Sequence, residues 1–386
     1  MRSLSSPLLP LVALTIALGS AQSACGDDAA DPLGGKARAF VTYNLGLATG
    51  YVSYAAERRP KLLELLATVD ADVLCLQEVW TQDDVDAVVA GAAATYPYSH
   101  YVMLKDTELG PPACTETETA PIRACIDANC DVSPGELAEC VLDKCVAEFG
   151  QLSTACTNCA VANLGKEVDV IFATCATGSF KYTYEGANGL LMLSRAKLTN
   201  ETHLEIEPST NVQRSVLGAT VKLPDLGEVA VFCSHVTPHY DELTYSGPEE
   251  SWEAENKVQT EAVRDHAAAE AGGADLVVVM GDYNSGPEIP GKAEAELPEA
   301  AYKIFVDAGY APHGSGDCSY CEDNLLNIDG TRNVWIDHIM TKGLDPARAT
   351  SVTRFGTTPI TITSETDGTV ETHPSDHYGV RLEIMD

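Results

Sequence analysis

Apolar residues along the chain follow two periodicities, one typical of strands and one typical of helices. Ala39–Asn44 and Ala71–Leu76 are short apolar runs of the kind found in buried strands. Between them, Arg58–Val69 carries apolar residues every three or four positions, which is the spacing of one helix face. This strand–helix–strand opening predicts an α/β architecture.

The same two patterns recur further along the chain. A helix is predicted over Trp252–Ala271 from its composition. Further strands are predicted where short apolar runs recur, at Leu190–Leu193, Val216–Val221, Val229–Cys233, Leu276–Met280 and Tyr378–Ile384. The α/β pattern therefore continues to the C-terminus.

Residues 112–178 depart from this pattern. The segment Ser133–Glu136 has the sequence of a capping box with proline at the first helical position, which predicts a helix reaching about Phe149. Ser153 stands where it would cap another helix. We therefore predict a small helical insertion over 112–178.

This insertion holds eight of the thirteen cysteines. We predict that they form up to four disulfide bonds, whose pairing the sequence does not select. A zinc module is the alternative, because Cys156 and Cys159 have the spacing of zinc ligands. Two other cysteines, Cys75 and Cys233, lie inside apolar runs, and we expect them to be free thiols packed in the core.

The N-terminus has the features of an export signal. Arg2 precedes the apolar run Leu8–Gly19, small residues follow, and Cys25 comes next. We predict a signal over residues 1–25 and a linker over 26–38. Either a signal peptidase removes the segment, which gives a secreted or periplasmic protein, or Cys25 is acylated and anchors a lipoprotein to a membrane. The many cysteines also favour export.

The chain is strongly acidic, with 24 Lys and Arg residues against 57 Asp and Glu residues and a formal net charge of −33. A surface of this charge repels the nucleic-acid backbone unless cations or a local basic patch intervene. The composition therefore disfavours tight DNA binding. It does not exclude nuclease activity, because a bound cation reverses the local field.

Polar side chains stand at the ends of the predicted strands. Strand ends on one edge of a sheet converge in space, so distant segments can build one pocket. Taken singly, each of these residues is compatible with an ordinary turn or surface position. The segments are Thr42-Tyr43-Asn44, Gln77-Glu78, Ser234-His235, Gly281-Asp282-Tyr283-Asn284, Ile336-Asp337-His338 and Ser375-Asp376-His377.

Together, in this order and spacing, these segments resemble the endonuclease/exonuclease/phosphatase family, which includes the pancreatic deoxyribonucleases and the neutral sphingomyelinases. The resemblance covers about 39–110 and 179–386 and implies one domain over 39–386 that contains the insertion. It implies a four-layer α/β sandwich, in which two mixed sheets pack face to face with helices outside. The active site is expected at one end, and the insertion is expected to project between two early strands.

The resemblance also implies a divalent-cation site. Glu78 is expected to be the principal carboxylate ligand, with Asn44 beside it and Asp376 completing the site. Magnesium is the expected ion, with manganese or calcium as alternatives, because these ions prefer oxygen ligands.

The remaining residues of the motifs are expected to act on the substrate. Asp282 would orient or deprotonate the attacking water, and Asn284 would hold a phosphate oxygen. His235 and His377 would contact the phosphate and stabilise charge or protonate the leaving oxygen, and Asp337 would pair with His377. His338 is left out of the site, because alternation along a strand turns it to the other face.

Two further segments resemble the sphingomyelinase-like branch of the family. Gly189–Arg195 resembles its GxxxLSR segment, and Gln213–Ala219 occupies the place of its KGxLxA segment. Asn256-Lys257-Val258-Gln259 resembles its RxxQ helix with Asn in place of Arg. Aromatic residues after His235 are candidates for contact with a lipid surface, although acidic residues interleave them: Tyr240, Tyr245 and Trp252.

The sequence therefore predicts an exported, metal-dependent phosphodiesterase. A phospholipid substrate is favoured slightly over nucleic acid. A nuclease and a soluble phosphatase are the enzymatic alternatives. The alternative of another class is a secreted binding protein that uses the insertion and keeps only a vestigial site.

Overall fold

The computed structural model describes residues 37–106, 109–132, 136–240, 243–327 and 332–385. The predicted export signal, Cys25, nearly all of the linker and residues 133–135 of the capping box lie outside these ranges. Within them, no helix combines the length and the apolar character that crossing a bilayer requires.

Strands and helices alternate at the start of the described chain, and five consecutive helices and two runs of consecutive strands follow. The strands are β1 (Arg38–Asn44), β2 (Val73–Gln77), β3 (Tyr98–His100), β4 (Leu191–Ser194), β5 (Leu198–Ile206), β6 (Arg214–Leu223), β7 (Gly227–His235), β8 (Leu276–Asp282), β9 (Ala311–His313), β10 (Asp337–Lys342), β11 (Thr350–Phe355), β12 (Ile360–Ser364), β13 (Gly368–Thr372) and β14 (Gly379–Ile384). The helices are α1 (Ala55–Leu66), α2 (Gln82–Ala92), α3 (Glu116–Asn129), α4 (Leu137–Lys144), α5 (Val146–Phe149), α6 (Thr154–Ala162), α7 (Val168–Thr177), α8 (Trp252–Glu270) and α9 (Ala301–Asp307).

Two six-stranded mixed sheets pack face to face, as predicted. Their strand orders are β11-β14-β1-β2-β4-β3 and β5-β6-β7-β8-β10-β9. Each sheet has a parallel pair near its centre, β1 with β2 and β7 with β8, while the other neighbours are antiparallel. Parallel neighbours end on the same edge, so Asn44 lies beside Gln77 and His235 lies beside Asp282. The short hairpin β12–β13 stands apart from both sheets.

Helices cover the outer faces of both sheets. Leu62 and Leu66 of α1 and Val85 and Val88 of α2 share a core with the alternate residues of β1, β2 and β4. Val263 of α8 packs in the same way, together with α9, against β6, β7 and β8. Alternation along each strand buries one set of side chains under the helices and the other between the sheets.

The prediction that Cys75 and Cys233 are free thiols is wrong. They form a disulfide bond between β2 and β7, with their Cα atoms 5.3 Å apart. Both side chains lie on the inner faces of their sheets, where two strands 158 residues apart in sequence meet. The sequence locates both cysteines in apolar runs, but it does not indicate that the two runs face each other.

The predicted cysteine-rich helical insertion is confirmed. Helices α3 to α7 lie between the paired strands β3 and β4, and we call residues 112–178 the helical lobe. Its eight cysteines form four disulfide bonds, so Cys156 and Cys159 are not zinc ligands. The pairs are Cys114–Cys156, Cys125–Cys145, Cys130–Cys140 and Cys159–Cys175.

The helix boundaries in the helical lobe agree only in part with the sequence. Ser153 caps α6 as predicted, because its hydroxyl accepts a hydrogen bond of 3.3 Å from the Cys156 amide. The helix expected to reach Phe149 is divided into α4 and α5 at Cys145. Cys145 departs from helical geometry where its disulfide bond to Cys125 ties it to α3.

Candidate active site

Strand ends from both sheets meet at one end of the sandwich. Asn44 ends β1, and Glu78 follows β2 directly. From the second sheet, His235 ends β7, Asp282 ends β8, and Asp337 begins the antiparallel neighbour β10 opposite Asp282. The segment before β14 adds Asp376 and His377, and Asn284 follows β8. Contacts shorter than 4 Å join all eight residues that the sequence predicted.

Two glycines allow this close approach. A Cβ atom at Gly281 would lie 2.0 Å from the carbonyl oxygen of Ser234, so β8 can lie against β7 only without a side chain there. Gly46 has a φ of 55°, and a Cβ atom there would lie 2.2 Å from a carboxylate oxygen of Asp376. The loop after β1 therefore lies directly against the Asp376 side chain at Gly46.

Two of the predicted residues have left-handed backbone conformations. Glu78 has a φ of 58° and Asn284 a φ of 47°. Residues other than glycine rarely adopt this region, and such strain concentrates at functional sites. Both residues lie one or two positions beyond a strand end, where the chain turns sharply.

Asn44 joins the two halves of the site. Its side-chain amide donates hydrogen bonds of 3.0 Å to a carboxylate oxygen of Glu78 and to one of Asp282. Its side-chain oxygen accepts a hydrogen bond of 3.0 Å from the Gly46 amide. In this arrangement Asn44 holds two carboxylates together, and its role as a metal ligand stays a prediction.

Glu78 has the properties of a cation ligand. One of its carboxylate oxygens, Oε2, is buried and has no hydrogen-bond partner. Burial and the nearby Asp376 carboxylate raise the pKa of Glu78. A divalent cation would satisfy the oxygen and offset the repulsion between the two carboxylates. The residues present therefore fit a cation held by Glu78 and Asp376.

A second group of side chains also has metal-ligand geometry. Ligand atoms of Asp282, Asp337 and His377 lie within 4.8 Å of one another, and all three residues are buried. However, the Asp337 carboxylate and His377 Nδ1 are already joined by a hydrogen bond of 2.8 Å. A hard cation such as magnesium prefers oxygen ligands, so Glu78 and Asp376 suit it better.

Asp282 lies at the centre of the network. Burial, together with the charge of Asp337, raises the pKa of Asp282 to about 7. Its Oδ2 atom lies 3.6 Å from His235 Nε2 and 3.8 Å from His377 Nε2. Its other oxygen accepts a 3.0 Å hydrogen bond from the Asn284 amide. A carboxylate with this pKa can gain and lose a proton near neutral pH.

The two site histidines have opposite electrostatic environments. Burial and the positive charges of Arg214 and His377 lower the pKa of His235 well below its usual value. Burial also disfavours the charged form of His377, but Asp337 and Asp376 outweigh it and raise the pKa of His377 well above its usual value. At neutral pH, His235 is therefore neutral and His377 is protonated.

The proton of His235 can be assigned from its neighbours. The side-chain amide of Asn284 lies 3.0 Å from the carbonyl oxygen of Val236, which can only accept, so this amide nitrogen is a donor. The same nitrogen lies 3.2 Å from His235 Nε2, which therefore accepts. The neutral ring consequently carries its proton on Nδ1, which is buried and has no partner.

Arg214 is a component of the site that the sequence reasoning missed. It begins β6, only 2% of its surface is exposed, and its Nε and Nη1 atoms have no hydrogen-bond partner. Burial raises the pKa of the nearby Tyr240 hydroxyl, and the positive charge of Arg214 opposes this rise. The segment Gln213–Ala219 was recognised only as a subfamily resemblance. The sequence feature that points to Arg214 is its position in this segment, where it replaces the lysine of KGxLxA and keeps the positive charge.

Arg58 is a second residue that the sequence reasoning missed. It is fully buried in α1, and its guanidinium donates to the carbonyl oxygens of Leu45 and Gly46 and, at 2.7 Å, to that of Pro374. It therefore connects the loop after Asn44 to the segment before Asp376. The periodicity of α1 predicts a helix there, but it does not predict that its arginine faces inward.

A cavity of about 300 Å³ opens onto these groups. This is at the lower end of the range for ligand pockets. Aromatic side chains form part of its wall, with Trp80 stacked on Tyr184 and Tyr320 packed edge-on to His377. All but two of the predicted residues line the cavity, together with Arg214: Glu78, His235, Asp282, Asn284, Asp376 and His377.

His338 lies outside this cavity, where alternation along β10 places it. It is buried, and its Nε2 lies 2.6 Å from the carbonyl oxygen of Ser285. Burial lowers the pKa of His338 to about 4. His239 is exposed at the cavity rim.

The suggestion of a lipid-contacting group of aromatic residues after His235 is not supported. Trp252 is 3% exposed, and its indole nitrogen donates to the carbonyl oxygen of Leu243. Tyr240 and Tyr245 both pack edge-on to Trp252, with ring centroids 4.9 Å from it. The three side chains pack on one another because the loop folds back onto the start of α8.

Comparison with known proteins agrees with this geometry. Residues 41–377 match the Endonuclease/Exonuclease/phosphatase family, and the chain belongs to this family. A comparison of the sequence with curated proteins finds no match.

Solved structures with a similar fold are only distantly similar to this chain in sequence. Sphingomyelinase C from Streptomyces griseocarneus is 15% identical, with a TM-score of 0.53 over 90% of this chain and 99% of that protein. Beta toxin from Staphylococcus aureus, in a structure with bound magnesium ions, is 10% identical, with a TM-score of 0.54 over the same shares. At these identities the likeness shows the fold alone.

Proposed function

We propose that the protein is an exported, metal-dependent phosphodiesterase that hydrolyses a phospholipid by attack of water. The observation that carries the proposal is a set of buried polar atoms without partners, in side chains that line one cavity: Glu78 Oε2, Arg214 Nε and Nη1, and His235 Nδ1. Buried polar atoms are usually satisfied, so such a set requires a ligand. A carboxylate oxygen suits a cation, and the nitrogen donors suit an anion.

A phosphodiester with a divalent cation satisfies both requirements. When bound at Glu78 and Asp376, the cation would polarise the phosphate and neutralise its charge. Arg214 and the Nδ1–H group of His235 would donate to phosphate oxygens. Asn284 is engaged with His235 and Val236, so its expected role is to orient His235 as well as to contact the phosphate.

Asp282 would act as the general base and His377 as the general acid. Asp282 accepts a proton from water as the water oxygen attacks phosphorus, and its pKa near neutrality suits that role. His377, protonated and held by Asp337, donates a proton to the leaving oxygen as the ester bond breaks. Asp337 keeps the imidazole oriented and stabilises its charge.

The preference for a lipid over a nucleic acid rests on charge. Among the described residues that line the cavity, the arginines are Arg214 and Arg332, and Arg332 is paired with Glu296. A nucleic-acid groove needs a row of phosphate contacts, whereas a single phosphate needs one or two. The net charge of −33 also disfavours a polyanion.

Export is supported by the oxidation state of the cysteines. All twelve cysteines in the described residues form disulfide bonds. Such a number is typical of compartments outside the cytosol. Acylation of Cys25, and with it membrane anchoring, stays a separate prediction.

The test is hydrolysis by the purified mature protein with and without magnesium. Sphingomyelin, phosphatidylcholine, DNA, RNA and phosphomonoesters are compared, with Asp282→Ala and His377→Ala as inactive variants and Asp265→Ala, an exposed carboxylate on α8, as the matched control. We expect hydrolysis of a choline phospholipid that a chelator and both site variants abolish. A nucleic acid or a phosphomonoester as the preferred substrate would refute the lipid assignment. No turnover with magnesium, manganese or calcium would favour the binding-protein alternative.

A further inference from the structure

A second cavity, of about 200 Å³, lies in the helical lobe. Its wall comes from α3, α4, α6 and α7 and consists almost entirely of aliphatic and aromatic side chains. They include Ile122, Ala138, Val141, Leu142, Ala160 and Phe172. No charged side chain in the described part of the chain lines it, so a polar ligand would lose its hydration there without gaining partners.

The second cavity adjoins the active-site cavity. Tyr51 and Tyr240 line both. The Arg214 guanidinium, which we place on the phosphate, lies close enough to Tyr240 to oppose the rise that burial causes in the pKa of the Tyr240 hydroxyl. One molecule that extends past the two tyrosines would therefore place its phosphate in the first cavity and its apolar part in the second.

A polar atom at this junction also lacks a partner. The Tyr51 hydroxyl is buried and makes no hydrogen bond within the described residues. Burial raises the pKa of Tyr51 well above its usual value, so the hydroxyl stays neutral and can donate. A ligand with an oxygen atom between its phosphate and its apolar part would satisfy it.

The construction of the helical lobe keeps this space open. A cavity costs stability because its lining atoms lose packing contacts, and small cores normally collapse to remove it. Here Cys114–Cys156, Cys125–Cys145 and Cys159–Cys175 tie the helices that surround it. Leu142 lines the cavity and is 41% exposed, so the space also reaches the protein surface.

We propose that this cavity receives a hydrocarbon chain of the substrate, so that the substrate class is an amphiphile in which an alkyl chain is attached close to the phosphate. This inference rests on the proposed function and adds a recognition role for the helical lobe. Each methylene that enters the cavity is removed from water, which favours longer chains until the space is filled.

The test measures binding and not turnover. Ethyl-, hexyl- and decylphosphonate, whose P–C bond a phosphoesterase does not cleave, are titrated calorimetrically into the full-length mature protein with magnesium, below the micellar concentration. We expect affinity to increase at least about tenfold from ethyl to decyl, with an increasingly negative heat-capacity change. Ala138→Phe, which fills the cavity, should reduce this gain to less than about threefold.

Two further variants make the result decisive. Leu142→Glu places a charge where the second cavity reaches the protein surface, a position at which folding is not at risk. It should also reduce the increase in affinity from ethyl- to decylphosphonate. Ala173→Phe adds the same ring at an exposed position of α7 outside the cavity and should leave the gain as in the wild type. Equal affinity for all three phosphonates, or a gain that survives both Ala138→Phe and Leu142→Glu, overturns the inference.

Hydrolysis assays on the same preparations separate this inference from the proposed function. Metal-dependent hydrolysis without chain-length dependence of phosphonate binding refutes only the alkyl-chain site. Chain-length-dependent binding without hydrolysis of any phosphodiester supports the cavity as an alkyl-chain site and refutes only the enzymatic proposal.

Discussion

The end of the sandwich and the helical lobe bury opposite kinds of atoms. At the sandwich end, carboxylates, imidazoles and a guanidinium are packed together, and several of their polar atoms lack partners. In the lobe, a small apolar core surrounds an apolar cavity and is tied by four disulfide bonds. Both arrangements cost stability, the first by desolvating charge and the second by leaving space unfilled.

The two regions offset these costs by different means. The sandwich has two large cores under its helices, which hold strand ends rigidly enough to keep strained residues such as Glu78 in place. The lobe is too small to rely on apolar burial alone, and small domains of this kind commonly depend on disulfide bonds. The difference fits the proposals that the candidate active site at the sandwich end carries out the chemistry and that the helical lobe recognises part of the substrate.

The largest effect on activity is expected from neutralising Asp282, the carboxylate at the centre of the candidate active site. Asp282→Asn keeps the size of the side chain but cannot accept a proton from water, so the turnover number should fall about 10³-fold or more. Steady-state hydrolysis of the preferred substrate measures this, with Asp265→Asn as the exposed control. A fall of less than tenfold would mean that another group acts as the base.

A smaller loss of activity is expected from replacing the buried arginine of the candidate site, Arg214. Arg214→Met should lower kcat/KM about 10²-fold, because two unpartnered donors would be lost from the phosphate site. Arg214→Lys should recover part of the activity, since it restores the charge without the planar donor pair. Arg264→Met, on the solvent side of α8, is the control. Wild-type kinetics for Arg214→Met would remove this residue from the site.

The helical lobe should respond to the loss of a disulfide bond, whereas the sandwich should not. Replacing Cys130 and Cys140 together by serine opens a link between residues ten positions apart and should destabilise the lobe by about 2–3 kcal/mol. Limited proteolysis should then cleave first within 112–178, while the sandwich fragments stay intact. Cleavage that begins in both regions together would show that they unfold as one unit.

The smallest expected effect, taken per pH unit, is a pH dependence of stability. The pKa of Asp282 is about 7 in the folded protein against an ordinary value of 3.8, so the folded state binds the extra proton between these pH values. Stability from this group is therefore present below about pH 4 and is lost as the pH rises towards 7, by about 1 kcal/mol per unit. Denaturant unfolding in chelator should show this slope in the wild type and not in Asp282→Asn. Equal slopes would contradict the raised pKa.

The sequence predicted the sandwich, and it predicted which strand-end residues would lie close together, because both depend on local patterns. Asn44, Glu78, His235 and Asp282 each follow an apolar run, and strand ends on a common edge must converge. Neither Arg214 nor the disulfide bond between Cys75 and Cys233 could be found in this way. Their significance depends on which faces of distant strands meet, and periodicity within one strand does not contain that information.

The helical lobe was predictable in kind but not in detail. Cysteine density and the Ser153 cap predicted a disulfide-bonded helical segment, and the structure contains one. The pairing of its cysteines and the cavity among its helices follow from tertiary packing. Trp252 is a further example. The sequence places this aromatic residue in an acidic loop, but it does not indicate that the loop folds over the side chain and buries it.

The disulfide bond between the two sheets has a mechanical consequence. Cys75 lies three residues before Glu78, and Cys233 lies two residues before His235, so the bond spans the sandwich directly behind these two groups. Face-to-face sheets can slide past each other by small shear displacements, and such sliding would change the spacing between the groups proposed to bind the cation and those proposed to bind the phosphate. The disulfide bond opposes such sliding at that point. It therefore limits changes in the distance between Glu78 and His235 when the outer strands move.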